Sequence, residues 1–136
     1  MNKTKELLRA IDIYLDAIYF CDAEKLDTVF HQNASLFDAD NGTIFVDPIA
    51  SFRADVASRP SPAKRGQKRA EEILCIDWLS PISATVKLRL QAHENVFVDH
   101  LAFVKGEGEW QIVSKIWHLE RVAEVKLASP PLEKVF

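Results

Sequence analysis

The second half of the chain contains four long strand-forming segments in succession, and these constrain the fold most. They run from Ala70 to Leu79, Ile82 to Ala92, Asn95 to Lys105 and Glu109 to Leu119. The second alternates between an apolar face (Val86, Leu88 and Leu90) and a polar face (Thr85, Lys87, Arg89 and Gln91). Strands joined by such short connections pair antiparallel. Because helices precede this meander, we predict an α+β fold with a curved antiparallel sheet wrapped around helices.

The first helix is predicted over residues 4–20, with Thr4 as its N-cap. An apolar stripe at helical spacing comprises Leu7, Leu8, Ile11, Tyr14, Leu15 and Ile18. Asp22 then caps a short second helix whose Leu26, Val29 and Phe30 face inward. Since Tyr14 belongs to the stripe, its hydroxyl is expected to point into the interior.

Two short strands and a third helix are predicted next. The strands, Ala34 to Asp38 and Thr43 to Val46, flank an Asp40-Asn41-Gly42 turn typical of a hairpin. Asp47-Pro48 then has the pattern of a helix cap followed by proline at the first helical position. The buried face of this helix is predicted to be Ile49, Phe52 and Val56.

Length and composition limit the classes of function. With 136 residues, we expect one domain over residues 1–120 and a tail over 121–136. A net charge of -3 argues against a general nucleic-acid binder, and no run approaches membrane-spanning length, so neither partner is expected. Cys21 and Cys75 fit no redox or metal spacing, which favours free thiols and the cytoplasm. The four histidines show no metal-ligand spacing either, so we expect no metal and no cofactor.

Asp99 is the most informative candidate residue. Aspartate is disfavoured inside strands, yet Asp99 lies mid-strand with Phe97, Leu101 and Phe103 on the same face. An inward carboxyl there would have a raised pKa and could donate a hydrogen bond to a developing oxyanion. The alternative is an aspartate paired with a lysine or arginine in a neighbouring strand.

The other candidates are less distinctive when taken alone. Asp38 ends its strand on the face of Leu36, a common place for aspartate before a turn, and Tyr14 fits a core tyrosine equally well. His118 is either a pocket acid or base or an exposed histidine. The basic loop from Lys64 to Arg69 is either solvated or an anion clamp. The predicted pocket lining is Ile18, Phe52, Val56, Phe97, Leu101, Phe103, Val113, Trp117 and His118.

The segment from Tyr14 to Asp38 resembles the opening of the nuclear transport factor 2-like superfamily, especially ketosteroid isomerases. The resemblance rests on the Cys21-Asp22 break and the run from Phe30 to Ala34. It implies a cone-shaped pocket in which Tyr14 is the pocket tyrosine, Asp38 the general base and Asp99 the neutral oxyanion-hole carboxyl.

A second resemblance, closer over the whole length, is to a bacterial group labelled "putative lumazine-binding". It rests on residues 57–62, on Arg65-Gly66 and on the run from Lys115 to His118. This label implies no established reaction.

Three hypotheses of function follow. The leading one is a homodimeric pocket protein that binds a small, largely apolar ligand, with the dimer formed through the open face of the sheet. The second is an isomerase-like enzyme without cofactor, in which Asp38 moves a proton next to a carbonyl while Tyr14 and Asp99 stabilise the enolate. The third is a non-catalytic protein-interaction module.

Overall fold

Three helices and six strands make up the fold in the computed structural model, which describes residues 2–123. The α+β prediction is confirmed, and the predicted tail lies almost wholly outside the described residues. In chain order the elements are α1 (Lys3–Phe20), α2 (Ala23–Val29), β1 (Phe30–Asp38), β2 (Phe45–Pro48), α3 (Ile49–Ser58), β3 (Glu71–Ser80), β4 (Ser83–Ala92), β5 (Asn95–Gly106) and β6 (Glu109–Val122).

The strands form one curved, unclosed sheet in the order β2-β1-β6-β5-β4-β3. The meander from β3 to β6 is antiparallel throughout, as its short connections predict. The β1–β2 hairpin joins the other edge, with β1 parallel to β6. The last strand therefore lies between the two halves of the chain, and its side chains face elements from both.

Capping residues determine where the first two helices begin and where α1 ends. Asn2, not Thr4, caps α1, because its side-chain oxygen accepts from the backbone amides of Thr4 and Lys5. Cys21 ends α1 in the left-handed conformation, with a φ of 50°. Asp22 caps α2 as predicted, by accepting from the amides of Glu24 and Lys25.

The third helix begins differently from the sequence prediction. Asp47 does not cap it but belongs to β2, where it pairs with Leu36 of β1. The ladder continues to Pro48, so α3 starts at Ile49 without a side-chain cap. The Asp47 side chain is consequently held on the inner face of the hairpin, and the residue is only 7% exposed.

A bulge in β6 decides which of its side chains face the core. Ala102 pairs with Ser114 while Phe103 pairs with Ile112, so Val113 has no partner in β5. Ile112 is buried on one side of the bulge and Lys115 on the other. Val113, which simple alternation groups with Trp117, is therefore displaced from the inner face.

The core lies between this inner face and the helices. Its largest fully buried side chains include Leu7, Ile11 and Tyr14 of α1 and Leu88, Leu101 and Phe103 of the sheet. Within residues 2–123, no helix combines the length and the apolar character needed to cross a membrane.

Candidate functional site

A cavity of about 280 Å³ opens between the inner face of the sheet and helices α1 and α3. Its apolar walls are formed by Ile18, Phe45, Phe52, Val56, Pro62, Leu90, Ala92, Phe97 and Trp117. Its polar lining consists of Tyr14, Cys21, Asp47, Asp55, Arg59, His93, Asp99 and Lys115. Aromatic walls with a few polar groups are the usual composition of a small-molecule pocket.

Three buried polar side chains meet in this lining, and we call them the Tyr14–Asp99–Lys115 cluster. The Tyr14 hydroxyl donates to Asp99 Oδ2 at 2.5 Å. Lys115 Nζ lies 3.7 Å from the same oxygen. Tyr14 is 0% exposed, Asp99 1% and Lys115 6%, so the cluster is shielded from bulk water.

The fold brings these residues together from three elements. Tyr14 comes from the buried stripe of α1, Asp99 from β5 and Lys115 from β6. Asp99 pairs with Trp117 and Leu101 pairs with Lys115, so Asp99 and Lys115 are diagonal neighbours on one face.

Burial dominates the electrostatics of the cluster. It lowers the pKa of Lys115, with a smaller lowering from the Arg59 charge, while the Asp99 and Asp47 charges raise it. Burial also raises the pKa of Tyr14, and the Asp99 charge adds to this. Tyr14 therefore stays a protonated hydrogen-bond donor, whereas the protonated form of Lys115 is disfavoured.

Lys115 also lies against aromatic rings. Its Nζ is 4.7 Å from the centroid of the Phe52 ring and 5.2 Å from that of Tyr14. Such positions favour an ammonium group electrostatically and hold the amine in place. The amine is thus fixed beside the cavity by an aromatic wall as well as by Asp99.

The remaining polar groups provide charge and hydrogen-bonding capacity elsewhere in the lining. Arg59 is exposed, and its guanidinium lies 5.9 Å from the Phe52 ring centroid. His93 adopts a left-handed backbone with a φ of 59°, and its Nδ1 is buried without a hydrogen-bond partner among the described residues. Burial raises the pKa of the Cys21 thiol, partly offset by Arg59.

The comparisons with known proteins agree with this geometry. A family model described as "Putative lumazine-binding" matches residues 2–118. The chain belongs to this family. No curated protein matches the chain.

Several solved structures share the fold of this chain. One is an NTF-2 like protein of unknown function from Silicibacter pomeroyi, 20% identical with a TM-score of 0.76, covering 86% of this chain and 95% of its own. Another, from Methylobacillus flagellatus, is an NTF2-like protein of unknown function, 23% identical with a TM-score of 0.73, covering 87% and 92%. A ketosteroid isomerase-like protein from Erwinia carotovora atroseptica is 14% identical with a TM-score of 0.64, covering 86% and 95%. The predicted nuclear transport factor 2-like fold is confirmed.

The cavity contains most of the residues predicted to line it. Ile18, Phe52, Val56, Phe97 and Trp117 lie in its walls together with Tyr14 and Asp99. Leu101 and Phe103 share the inner face but are buried in the core away from the cavity, and Val113 is excluded by the bulge. Asp99 lies on the apolar inner face of the sheet, as alternation predicts. It also lies beside Lys115 of the neighbouring strand, as the alternative interpretation predicts.

Asp38 and His118 lie outside the cavity lining. Asp38 accepts a hydrogen bond from the backbone amide of Asp40 at 2.8 Å, within the β1–β2 turn. His118 is exposed, and its Nδ1 lies 2.7 Å from Asp40 Oδ1. The structure therefore does not bring Asp38 together with Asp99, and the catalytic role of Asp38 stays a prediction.

The basic loop is also separate from the lining, which contains none of the residues from Lys64 to Arg69. Arg69 forms ion pairs with Asp16 and Glu71. Tyr19 donates to the backbone oxygen of Gln67, which fixes the loop to α1. Within residues 2–123, no group of three or more His, Cys, Asp or Glu side chains is arranged to hold a metal ion.

Lys115 and Asp47 line the cavity but are not among the site residues predicted from the sequence. Lys115 is two residues before Trp117, so the alternation that places Trp117 inward also places Lys115 inward. The sequence pattern therefore indicates Lys115, whereas Asp47 matches a helix cap locally and reaches the cavity only through its pairing with β1. Nothing in the sequence distinguishes His93, whose position depends on the geometry of the β4–β5 turn.

Proposed function

We propose that this protein binds a small, flat and largely apolar molecule with a polar edge, without transforming it by isomerase chemistry. The observation that carries the proposal is the composition of one cavity. Phe45, Phe52, Phe97 and Trp117 supply aromatic walls, and buried polar groups lie in the same lining. Such an arrangement suits a planar ligand whose ring packs on the walls and whose oxygen or nitrogen atoms meet the cluster.

The polar groups of the cavity indicate which hydrogen-bonding groups the polar edge of the ligand should have. Lys115 supplies N–H donors, and Asp47, a neighbouring charge that favours its protonation, supplies acceptor oxygens. A ligand with a carbonyl next to a ring N–H matches both. The family description names lumazine, a flat bicyclic molecule with carbonyls and ring nitrogens, and this chemistry makes it the first compound to test.

The lining of the cavity favours binding over isomerisation. The isomerase hypothesis requires Asp38 to reach the substrate beside Asp99, and Asp38 is absent from the lining. In addition, Lys115 Nζ lies 3.7 Å from Asp99 Oδ2, so the cavity holds beside this carboxyl an amine that the isomerase hypothesis does not use.

Calorimetric titration with lumazine and with 2-naphthol tests the binding proposal. Phe97→Ala removes an aromatic wall and should weaken binding about tenfold or more, because burying such a ring contributes roughly 1.5–3 kcal/mol. Phe37→Ala is the matched control, since Phe37 lies on β1 outside the cavity lining and should leave the affinity unchanged. Absence of binding for both probes at millimolar concentration, or equal weakening by both substitutions, would contradict the proposal.

We propose further that two copies associate through the outer face of the sheet. Val104 of β5 is 39% exposed and Ile116 of β6 is 53% exposed, on the side opposite the cavity. Exposed apolar side chains on one sheet face support a second copy as the occupant. Sedimentation should show a dimer at micromolar concentration that Ile116→Lys dissociates, and a monomeric wild type would refute the association.

A further inference from the structure

Lys115 is an unusual residue for the inner face of a sheet. Lysine is almost never fully buried unless it is paired, because removing an ammonium from water is costly. The carboxylate oxygen that it faces, Asp99 Oδ2, is 3.7 Å from Lys115 Nζ, beyond ordinary hydrogen-bond length. That oxygen already accepts the Tyr14 hydroxyl at 2.5 Å. Asp99 therefore satisfies Lys115 only in part.

Burial makes it easier for the amine to lose its proton. Burial lowers the pKa of Lys115, and Arg59 lowers it further, against the opposing charges of Asp99 and Asp47. Lysines desolvated in this way act as nucleophiles toward carbonyl compounds. The residue also lines the cavity, so a bound molecule can approach it.

We propose that Lys115 captures an aldehyde or ketone held in the cavity by forming an imine with it. The proposal rests on the proposed function, because the carbonyl compound must first occupy the cavity. The chemical class is a carbonyl attached to a flat apolar body, since the ring would pack on Phe52 and Trp117 while the carbonyl carbon faces Nζ.

The reaction balances without oxidant or cofactor. The Nζ lone pair forms a bond to the carbonyl carbon, and the carbon–oxygen π electrons move to oxygen, which takes up a proton. Loss of the second nitrogen proton and of the hydroxyl as water then leaves a carbon–nitrogen double bond. Amine and carbonyl thus give imine and water. The Tyr14 hydroxyl, hydrogen-bonded to Asp99 before the reaction, would give its proton to the developing oxyanion and take up the first proton lost from the nitrogen, so that Tyr14 ends as it began.

Reductive trapping of the wild-type protein tests this capture. The protein is incubated with 2-naphthaldehyde and cyanoborohydride at neutral pH, and modified lysines are located by peptide mass mapping. Lys115 should be labelled at least about tenfold faster than the exposed Lys87, because the cavity holds the aldehyde beside the Lys115 amine and raises its effective concentration there. Lys115→Arg should remove the fast label, and Lys87→Arg should leave it unchanged.

A second measurement separates failure of this inference from failure of the proposed function. 2-Naphthol has the same bicyclic body but no carbonyl, so it should bind without reacting and should protect Lys115 of the wild type from labelling. This arm does not depend on whether the Lys115→Arg variant folds. If 2-naphthol binds while 2-naphthaldehyde labels Lys115 no faster than Lys87, imine capture is refuted and the binding function stands. If 2-naphthol fails to bind and Lys115 is not labelled selectively, both proposals fail.

Discussion

The cavity and the β1–β2 turn each contain a carboxylate beside a nitrogen base, in opposite surroundings. In the cavity, Asp99 and Lys115 are 1% and 6% exposed and their charged atoms lie 3.7 Å apart. At the turn, Asp40 and His118 approach more closely, at 2.7 Å, but the His118 side chain is 64% exposed. The closer pair is the more strongly screened one, because water surrounds His118, whereas the cavity pair is shielded from water.

The two regions also differ in what perturbs their protonation. At the turn, the pKa of Asp40 is lowered by the backbone amide of Leu119 and then by His118. In the cavity, the pKa of Lys115 is lowered by burial, against the attraction of Asp99. Direct hydrogen bonds thus govern the exposed carboxylate, whereas desolvation governs the buried amine. Of the two pairs, only Asp99 and Lys115 are both buried and exposed to a molecule bound in the cavity.

The largest expected effect is the loss of stability in Asp99→Ala. The substitution leaves Lys115 buried without its carboxylate and the Tyr14 hydroxyl without its acceptor, which should lower the free energy of unfolding by about 3–5 kcal/mol. Urea unfolding at neutral pH measures it. Asp40→Ala is the exposed counterpart and should cost about 1 kcal/mol or less. Equal losses of stability in Asp99→Ala and Asp40→Ala would show that burial does not make the cavity pair more important for stability than the pair at the turn.

The next effect concerns Lys115 and alkaline pH. Because the pKa of Lys115 is lower in the folded than in the unfolded state, the unfolded chain binds more protons between the two values. The stability of the wild type relative to Lys115→Met should therefore rise as the pH increases through that window, toward the unfolded value of about 10.5. The raised pKa of Tyr14 acts in the opposite direction above pH 10 in both proteins and cancels in the difference.

Urea unfolding of the wild type and Lys115→Met between pH 7 and 10 measures this difference. A difference that stays constant with pH would mean that Lys115 keeps its ordinary pKa in the fold. A difference that falls with pH would mean that attraction by Asp99 outweighs burial.

The fold could be predicted from the sequence because its elements carry local patterns. The alternation of Val86, Leu88 and Leu90 defines the inner face of β4, and all three are buried. The Asp22 cap and the Asp40-Asn41-Gly42 turn also occur where they are predicted. Each of these features depends on residues a few positions apart in the sequence, so a local sequence pattern is enough to predict it.

The site was less predictable because it depends on contacts across the chain. Val113 was misplaced by a bulge, an insertion against the β5 partner that residue types do not reveal. Asp47 matches a helix cap locally, but pairing with Leu36 extends the strand instead. Asp38 follows the alternation of β1, yet its carboxylate bonds to the Asp40 amide in the turn. Tertiary pairing overrides local preference at each of these positions.

A smaller effect is expected in acid at the exposed turn. The pKa of Asp40 lies below its ordinary value of 3.8, so its carboxylate stabilises the fold above that pH, and this contribution is lost as the pH falls through the lowered value. Asp40→Asn should therefore lower stability by about 1 kcal/mol or less at pH 6 and by less near pH 2. Thermal unfolding across this range measures it, and a loss that grows as the pH falls would contradict the assignment.

The smallest expected effect is that of Asp38→Asn, which tests most directly whether the turn belongs to the site. Asp38 contributes one observed hydrogen bond, as acceptor for the Asp40 amide at 2.8 Å, and an asparagine side-chain oxygen can accept the same bond. Stability should change by about 0.5 kcal/mol or less, as for most surface substitutions. The affinity for 2-naphthol should be unchanged, because Asp38 does not line the cavity. Asp99→Asn is the matched substitution within the cluster and should alter binding, since it changes the group that accepts the Tyr14 hydroxyl and lies beside Lys115. If Asp38→Asn weakened binding as much as Asp99→Asn does, the turn would have to reach the cavity in solution, and the isomerase interpretation of Asp38 would regain its geometric basis.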